Sequence, residues 1–355
     1  MYLTAETLDD LLFKVYRRLL RKRGASDITP TKGPATELNG VLLQIKNPRA
    51  RLSRTEKRNT LLSCLGEFLW YISASDDLSF IEYYIPGYKK FSDDGHTIYG
   101  AYGPRLFALN GEIDQVRNVT ETLKANPTSR RAVIQLFRGE DLADNLKIRR
   151  EDLPCTCTLQ FTIRNHQLNL MVMMRSNDAY LGLPHDVFSF TMLQELVART
   201  IGVEIGTYKH AVGSLHFYIE NTQAIHDYLD EGIQERVAMP PMPLGDPWPS
   251  VEKLMKAERA IRNSTPMRTV ITSPYWSDLV RLLEIFRISK NPIKNGVSKK
   301  VAEIKSKMNS DFYDTYILKR QRQIQKAVEP LMLFDVAALD AQQPAQSKDE
   351  SARHA

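Results

Sequence analysis

Three observations predict an α+β fold. Apolar residues recur at helical spacing at 7–23, 56–73 and 186–202. Runs at 132–137, 156–163, 168–174 and 207–218 read instead as strands. After about residue 237 only helical patterns remain, beyond a proline-rich connector.

The first helix opens at Thr7, which with Asp10 resembles a capping box, and carries Leu8, Leu11, Leu12, Val15 and Leu19 as its stripe. Gly24 is a natural stop. Residues 26–53 read as loop and short strand. The second helix places Leu61, Leu62, Leu65, Phe68, Leu69 and Ile72 on one side. Residues 115–125 are helical up to Asn126-Pro127. In the second strand run, Leu159, Phe161 and Ile163 alternate, and Asn165-His166 marks a hairpin turn before 168–174. Helix 186–202 turns Met192, Leu193, Leu196, Val197 and Ile201 inward. The organisation is therefore a core at 1–237, a connector at 238–249, a helical basic appendage at 250–330 and a disordered tail at 336–355.

With 43% hydrophobic and 25% charged residues, the composition is that of a water-soluble globular protein. No apolar run reaches membrane-span length, and the first residues carry no basic-then-apolar leader, so a cytoplasmic location without membrane contact is expected. Three cysteines (Cys64, Cys155, Cys157) make no disulfide framework and lack zinc-site spacing, so no metal is expected. The net charge of +6 is partly local, in Arg17, Arg18, Arg21, Lys22 and Arg23 and in the run 290–307. Solvated helix faces account for such clusters, and a nucleic-acid partner is not expected. The excess also suits small anionic substrates.

Chemistry concentrates in two segments. Pro154-Cys155 places a thiol at the mouth of a strand. Residues 175–186, from Arg175 through Ser176, Asp178 and Gly182 to Asp186, supply a guanidinium, a hydroxyl, two carboxylates and a tight turn. Together they read as a pocket where a sulfur nucleophile meets a phosphorylated planar ligand. Glu67 stands in an apolar helix between Gly66 and Phe68, where a carboxyl would have a raised pKa and could pass protons. His216 and Tyr218 lie two apart in a strand, on one face.

The stretch 129–221 resembles the thymidylate synthase family, through Ser129-Arg130-Arg131, Pro154-Cys155, Gln160-Phe161, Arg175-Ser176, Asp178, Leu181-Gly182-Leu183-Pro184, and Gly213 with His216 and Tyr218. Lys57-Arg58 and Glu67-Phe68-Leu69-Trp70 extend it, to cover roughly residues 5–237. The resemblance implies a homodimer whose mixed, largely antiparallel sheet forms the interface. It implies a pyrimidine nucleotide 5′-monophosphate as substrate and 5,10-methylenetetrahydrofolate as co-substrate. It casts Cys155 as the nucleophile on C6, its thiolate favoured by Arg175, and Glu67 as the general acid/base acting through water. Arg175 and Ser176 hold phosphate, and Arg130 and Arg131 reach the partner's phosphate. His216 and Tyr218 meet the sugar hydroxyl. Asp178 holds the pterin, and Lys57, Trp70 and Gly182 line the folate site.

Departures from the family pattern shape the expected reaction. Asp186 replaces the asparagine that reads uracil, and a carboxyl suits the amino edge of cytosine, a feature of the family's deoxycytidylate hydroxymethylase branch and of a related cytidylate hydroxymethylase branch. A helix N-cap role for Asp186 is also open. Thr156 replaces the histidine that follows the nucleophile. No arginine stands at 35–38 to complete the phosphate grip, leaving Arg49, Arg51, Arg54 or fewer groups. More than a hundred residues follow Tyr218, without the short closing tail of the family. A site open to water favours hydroxymethylation. The expected activity is hydroxymethylation of dCMP (or CMP). Methylation of dUMP is the alternative, and a non-catalytic nucleic-acid-binding homologue is the reading from another class.

Overall fold

Pairing of the alternating runs produces one mixed sheet. In this computed structural model, residues 1–22, 24–56, 58, 60–291 and 296–326 are described. The strands are β1 (Tyr2–Ala5), β2 (Ser26–Ile28), β3 (Ala35–Ile45), β4 (Val133–Gln135), β5 (Thr156–Arg164), β6 (Gln167–Asp178) and β7 (Glu204–Tyr218). Their spatial order is β1-β3-β7-β6-β5-β4, with β2 on the side of β3. β6 and β7 run parallel, as do β1 and β3, and the other pairs are antiparallel. Asn165 and His166 adopt φ 52° and 59°, so the β5–β6 hairpin turns where the sequence places it. Strand β3 is longer than the short strand expected in 26–53, because β7 pairs along its length.

The helices include α1 (Leu8–Leu20), α2 (Leu61–Ile72), α3 (Leu78–Tyr84), α4 (Tyr102–Phe107), α5 (Gln115–Ala125), α6 (Gly139–Lys147), α7 (Gly182–Ile201), α8 (Thr222–Asp230), α9 (Trp248–Arg262), α10 (Pro274–Ser289) and α11 (Val297–Lys305), and residues 314–326 are helical as well. Thr7 Oγ1 accepts from Asp10 N at 3.1 Å, which starts α1 as its sequence indicates. Among the described residues no helix is long and apolar enough to cross a membrane.

Helix α7 is the central support of the site. Its residues Val187, Phe188, Phe190, Met192, Leu196 and Val197 are buried, and it packs on both β6 and α2. Glu195 of α7 is buried and accepts from Arg49 Nε (2.8 Å), Arg51 Nη2 (2.5 Å) and the backbone N of Met242 (3.0 Å). One carboxylate thereby ties the loop before α2, the central helix and the connector together. The later helices share the same apolar core. Tyr84 donates to Glu258 at 2.8 Å and stacks on Phe286, and Lys319 donates to the carbonyls of Arg54 and Thr55. The expected disordered tail at 336–355 lies outside the described residues.

The other face of β4–β6 carries exposed apolar side chains, Val133 at 43% and Met173 at 52%, beside Met171. The alternation that buries Leu159, Phe161, Leu170 and Val172 turns these outward.

Candidate active site

The ends of β5, β6 and β7 meet the start of α7 and the middle of α2. Cys155, part-buried, immediately precedes β5, and its carbonyl accepts from Arg175 N of β6 at 2.9 Å. The Arg175 guanidinium folds back on the same segment. Nε donates to Pro154 O and Nη2 to Leu153 O, both at 3.0 Å. The expected cation is thus beside the sulfur and rigidly held. At Gly213 of β7 a Cβ would stand 2.8 Å from the Arg175 carbonyl, so this strand contact requires glycine.

Proximity to Arg175 does not make a ready thiolate. Burial pushes the Cys155 thiol up to about 11; Arg175 and Lys32 oppose the rise, while Asp152 and Asp186 add to it. Burial likewise raises Asp152 to about 6, against the pull of Lys32, Arg175 and Arg105. Gly100 makes room for that carboxyl, since a Cβ there would be 2.2 Å from Asp152 Oδ2.

Ser176 pairs in register with Ser214, and Asp178 with His216. The rings of His216 and Tyr218 meet edge to face at 5.2 Å, so the two do share one face. Asp178 Oδ1 accepts from the backbone N of Tyr180 (2.8 Å) and Leu181 (3.0 Å), shaping the turn into α7. Burial raises this acid above its ordinary range.

That turn begins α7 at Gly182, four residues ahead of the predicted start. Asp186 is therefore inside the helix rather than at its N-cap. Its Oδ2 accepts from Asn177 Nδ2 at 2.6 Å. Asn177 Oδ1 is buried without a partner. Burial pushes Asp186 up to about 8; the charge of Glu67 adds to the rise, and Asn177 and His185 oppose it. At neutral pH the group is mostly a carboxylic acid, with one donor and one acceptor to offer. Gly182 lies against this pair, its Cβ position 3.2 Å from Asn177 Nδ2 and 3.6 Å from Asp186 Oδ2.

Glu67 is buried, but polar partners surround its carboxyl where the sequence suggested an apolar setting. Oε2 lies 2.7 Å from His185 Nδ1, and Oε1 accepts from Tyr71 at 3.2 Å. Thr156, at the expected histidine position, gives both its N and Oγ1 to the Tyr102 hydroxyl at 3.0 Å.

Other expected residues are not gathered here. Arg130 and Arg131 are exposed before β4. Extending the register Val133↔Gln160 puts them alongside the far half of β5, about 25 Å from Cys155 at 3.3 Å per residue. Trp70 is 1% exposed, its ring against Tyr88, and so lies in the core. Lys57 is outside the described residues. Arg49 and Arg51 are committed to Glu195, and Arg54 bonds Thr315 at 3.3 Å with Glu235 at 3.6 Å, so these three are engaged elsewhere. The basic side chain whose charge reaches Cys155 from the segment before β3 is Lys32.

Sequence reasoning missed Lys32, Tyr102, Asp152, Asn177 and His185. The last two stand inside the 175–186 segment, and their polar character beside an acid was a usable signal. Nothing local marked Asp152 or Tyr102, which reach the site through tertiary packing.

A family model described as thymidylate synthase matches residues 31–264, running through the connector and the whole of α9. A deoxyuridylate hydroxymethyltransferase of Bacillus phage SP01 is 33% identical over 196 residues, covering 52% of this chain and 51% of that protein. A protein of the same description from Delftia phage PhiW-14 is 27% identical over 237 residues, covering 63% of this chain and 64% of its own length. The chain thus spans about half to two-thirds of these relatives.

Proposed function

The chain belongs to the thymidylate synthase family, and from that premise we propose that it installs a hydroxymethyl group at C5 of dUMP. Cys155 adds to C6 of the pyrimidine, making C5 nucleophilic. Arg175, Ser176 and Lys32 hold the phosphate. His216 and Tyr218 take the sugar hydroxyl, and Asp186 reads the base.

The single observation that carries base recognition is the buried Asp186–Asn177 bond, which suits either pyrimidine, and the relatives tip the choice to uracil. A neutral acid offers its hydroxyl to uracil O4 and its carbonyl oxygen to the N3 hydrogen, as an amide would. The names of the two relatives support the same base and the same transferred group. Hydroxymethylation of dCMP is the second reading. It is favoured by the acid itself, whose proton can also face cytosine N3 while the other oxygen accepts from the amino group.

The residues fit a folate head group. Asp178 has an oxygen beyond the one used by Tyr180 and Leu181, and Leu181, 52% exposed, offers an apolar plate beside it. Bound there, 5,10-methylenetetrahydrofolate supplies the one-carbon unit. A homodimer through the open face of β4–β6 would bury Val133, Met171 and Met173 and bring Arg130 and Arg131 to the partner's phosphate.

Mass spectrometry of the nucleotide after incubation with dUMP, dCMP or CMP tests this proposal. The expected product is dUMP heavier by one CH2O unit. A product heavier by CH2 alone would return the chain to methylation, and turnover of dCMP only would select the second reading.

A further inference from the structure

Glu67 has a partner that its helix does not supply. His185, from the first turns of α7, places Nδ1 2.7 Å from Glu67 Oε2 and Nε2 3.3 Å from Ser63 Oγ. Tyr71 holds the other carboxyl oxygen at 3.2 Å. A part-buried chain thus runs from Ser63 through His185 and Glu67 to Tyr71, across the α2–α7 contact. The side chain of His185 is 15% exposed and that of Glu67 9%. The next residue, Asp186, faces the same carboxyl.

We propose that His185 is a positioning residue whose ring holds the Glu67 carboxyl in place, so that Glu67 carries protons between Cys155, C5 of the nucleotide and water. The imidazole absent from position 156 is thereby supplied from α7. This rests on the assignment of Cys155 and Glu67 made above.

The charges around the pair support this arrangement. Cys64, Glu67 and Tyr71 face His185 or its partner from α2, and Asp186 adjoins it on α7; Tyr88 and Tyr102 approach Glu67 or Asp186 from neighbouring segments. Burial disfavours the imidazolium, but Cys64 and Glu67 favour it, and the balance holds His185 well above the ordinary imidazole range.

The proton step balances without folate. The Cys155 S–H proton passes to Glu67, and the sulfur pair forms the S–C6 bond. The C5–C6 π pair moves to C5, which takes the proton from Glu67. Reversal returns a C5 hydrogen to Glu67, which exchanges it with water, and the S–C6 bond breaks. Exchange of the C5 hydrogen with solvent deuterium therefore reads the relay directly.

The test compares wild type with His185→Gln, which keeps a hydrogen-bond donor but not the charge. In the variant, exchange near pH 7 at saturating nucleotide is expected to fall about tenfold. Nucleotide affinity should stay within about twofold, because the pair is not placed to touch the phosphate or sugar. An unchanged exchange rate would overturn the proposal. NMR titration of His185 in wild type and in Glu67→Gln decides it separately. The ring should titrate above its ordinary range in the first and at least one unit lower in the second, and identical titrations would sink the pairing. If wild type exchanges neither dUMP nor dCMP, the functional assignment fails, while the NMR comparison still decides the ion pair.

Discussion

Cys155→Ser is expected to lower turnover at least a thousandfold, about 4 kcal/mol in activation free energy, with the nucleotide KM nearly unchanged. The substitution keeps the size and polarity of the side chain and removes only the nucleophilic sulfur. The folded arrangement should persist, because Arg175 bonds the carbonyls of Leu153 and Pro154 rather than Sγ. The loss is large because the wild-type thiol already sits near 11 and needs a base to release its proton. A serine hydroxyl is a far weaker acid, and the same buried setting would disfavour its anion further. Initial rates with saturating folate over a range of nucleotide concentrations separate the two parameters. Loss confined to KM would place the residue in binding instead.

Asp186→Asn should flatten the alkaline side of the dUMP profile and depress dCMP turnover by ten- to a hundredfold. The sign follows from the raised pKa. Below about 8 the acid is neutral and keeps its hydroxyl donor; above it the group ionises, and the donor to O4 is lost. In wild type the KM for dUMP should therefore rise about tenfold for each pH unit above the transition. An amide keeps its donor throughout, so the variant should show no such rise. Cytosine loses the adjustable proton that let one acid meet N3 and the amino group, leaving buried partners unpaired. KM measured from pH 6 to 9 with both nucleotides gives the answer, and parallel profiles in wild type and variant would refute the base-reading role.

The legible parts of this fold were those that local chemistry decides. Asn165-His166 could be read because two consecutive residues tolerant of positive φ bridge two alternating runs, and both adopt it. Thr7 could be read because its hydroxyl needs only the backbone three residues on. The start of α7 could not. Asp178 satisfies the backbone N–H groups of Tyr180 and Leu181 and lets the helix begin at Gly182, ahead of Pro184. The length of β3 was hidden for a similar reason, since β7 lies far away in sequence.

Within the site, the order of Cys155, Arg175 and Asp186 was visible from residue types alone. Their protonation was not. Arg175 beside Cys155 suggested a thiolate, yet burial outweighs one guanidinium already tied to backbone carbonyls. For Asp186 the residue type left carboxylate and carboxylic acid both open, and burial with the charge of Glu67 keeps its proton on. His185 was inside the quoted segment, but its meaning depends on Glu67, 118 residues earlier in the chain.

The most direct measurement is covalent capture. A deoxyuridylate bearing fluorine at C5 cannot give up a proton there, so an adduct formed with methylenetetrahydrofolate should stall on the protein. Tandem mass spectrometry of the digest should find one nucleotide per chain, attached to the sulfur of Cys155. The absence of an adduct, or its attachment at Cys64 or Cys157, would contradict the account.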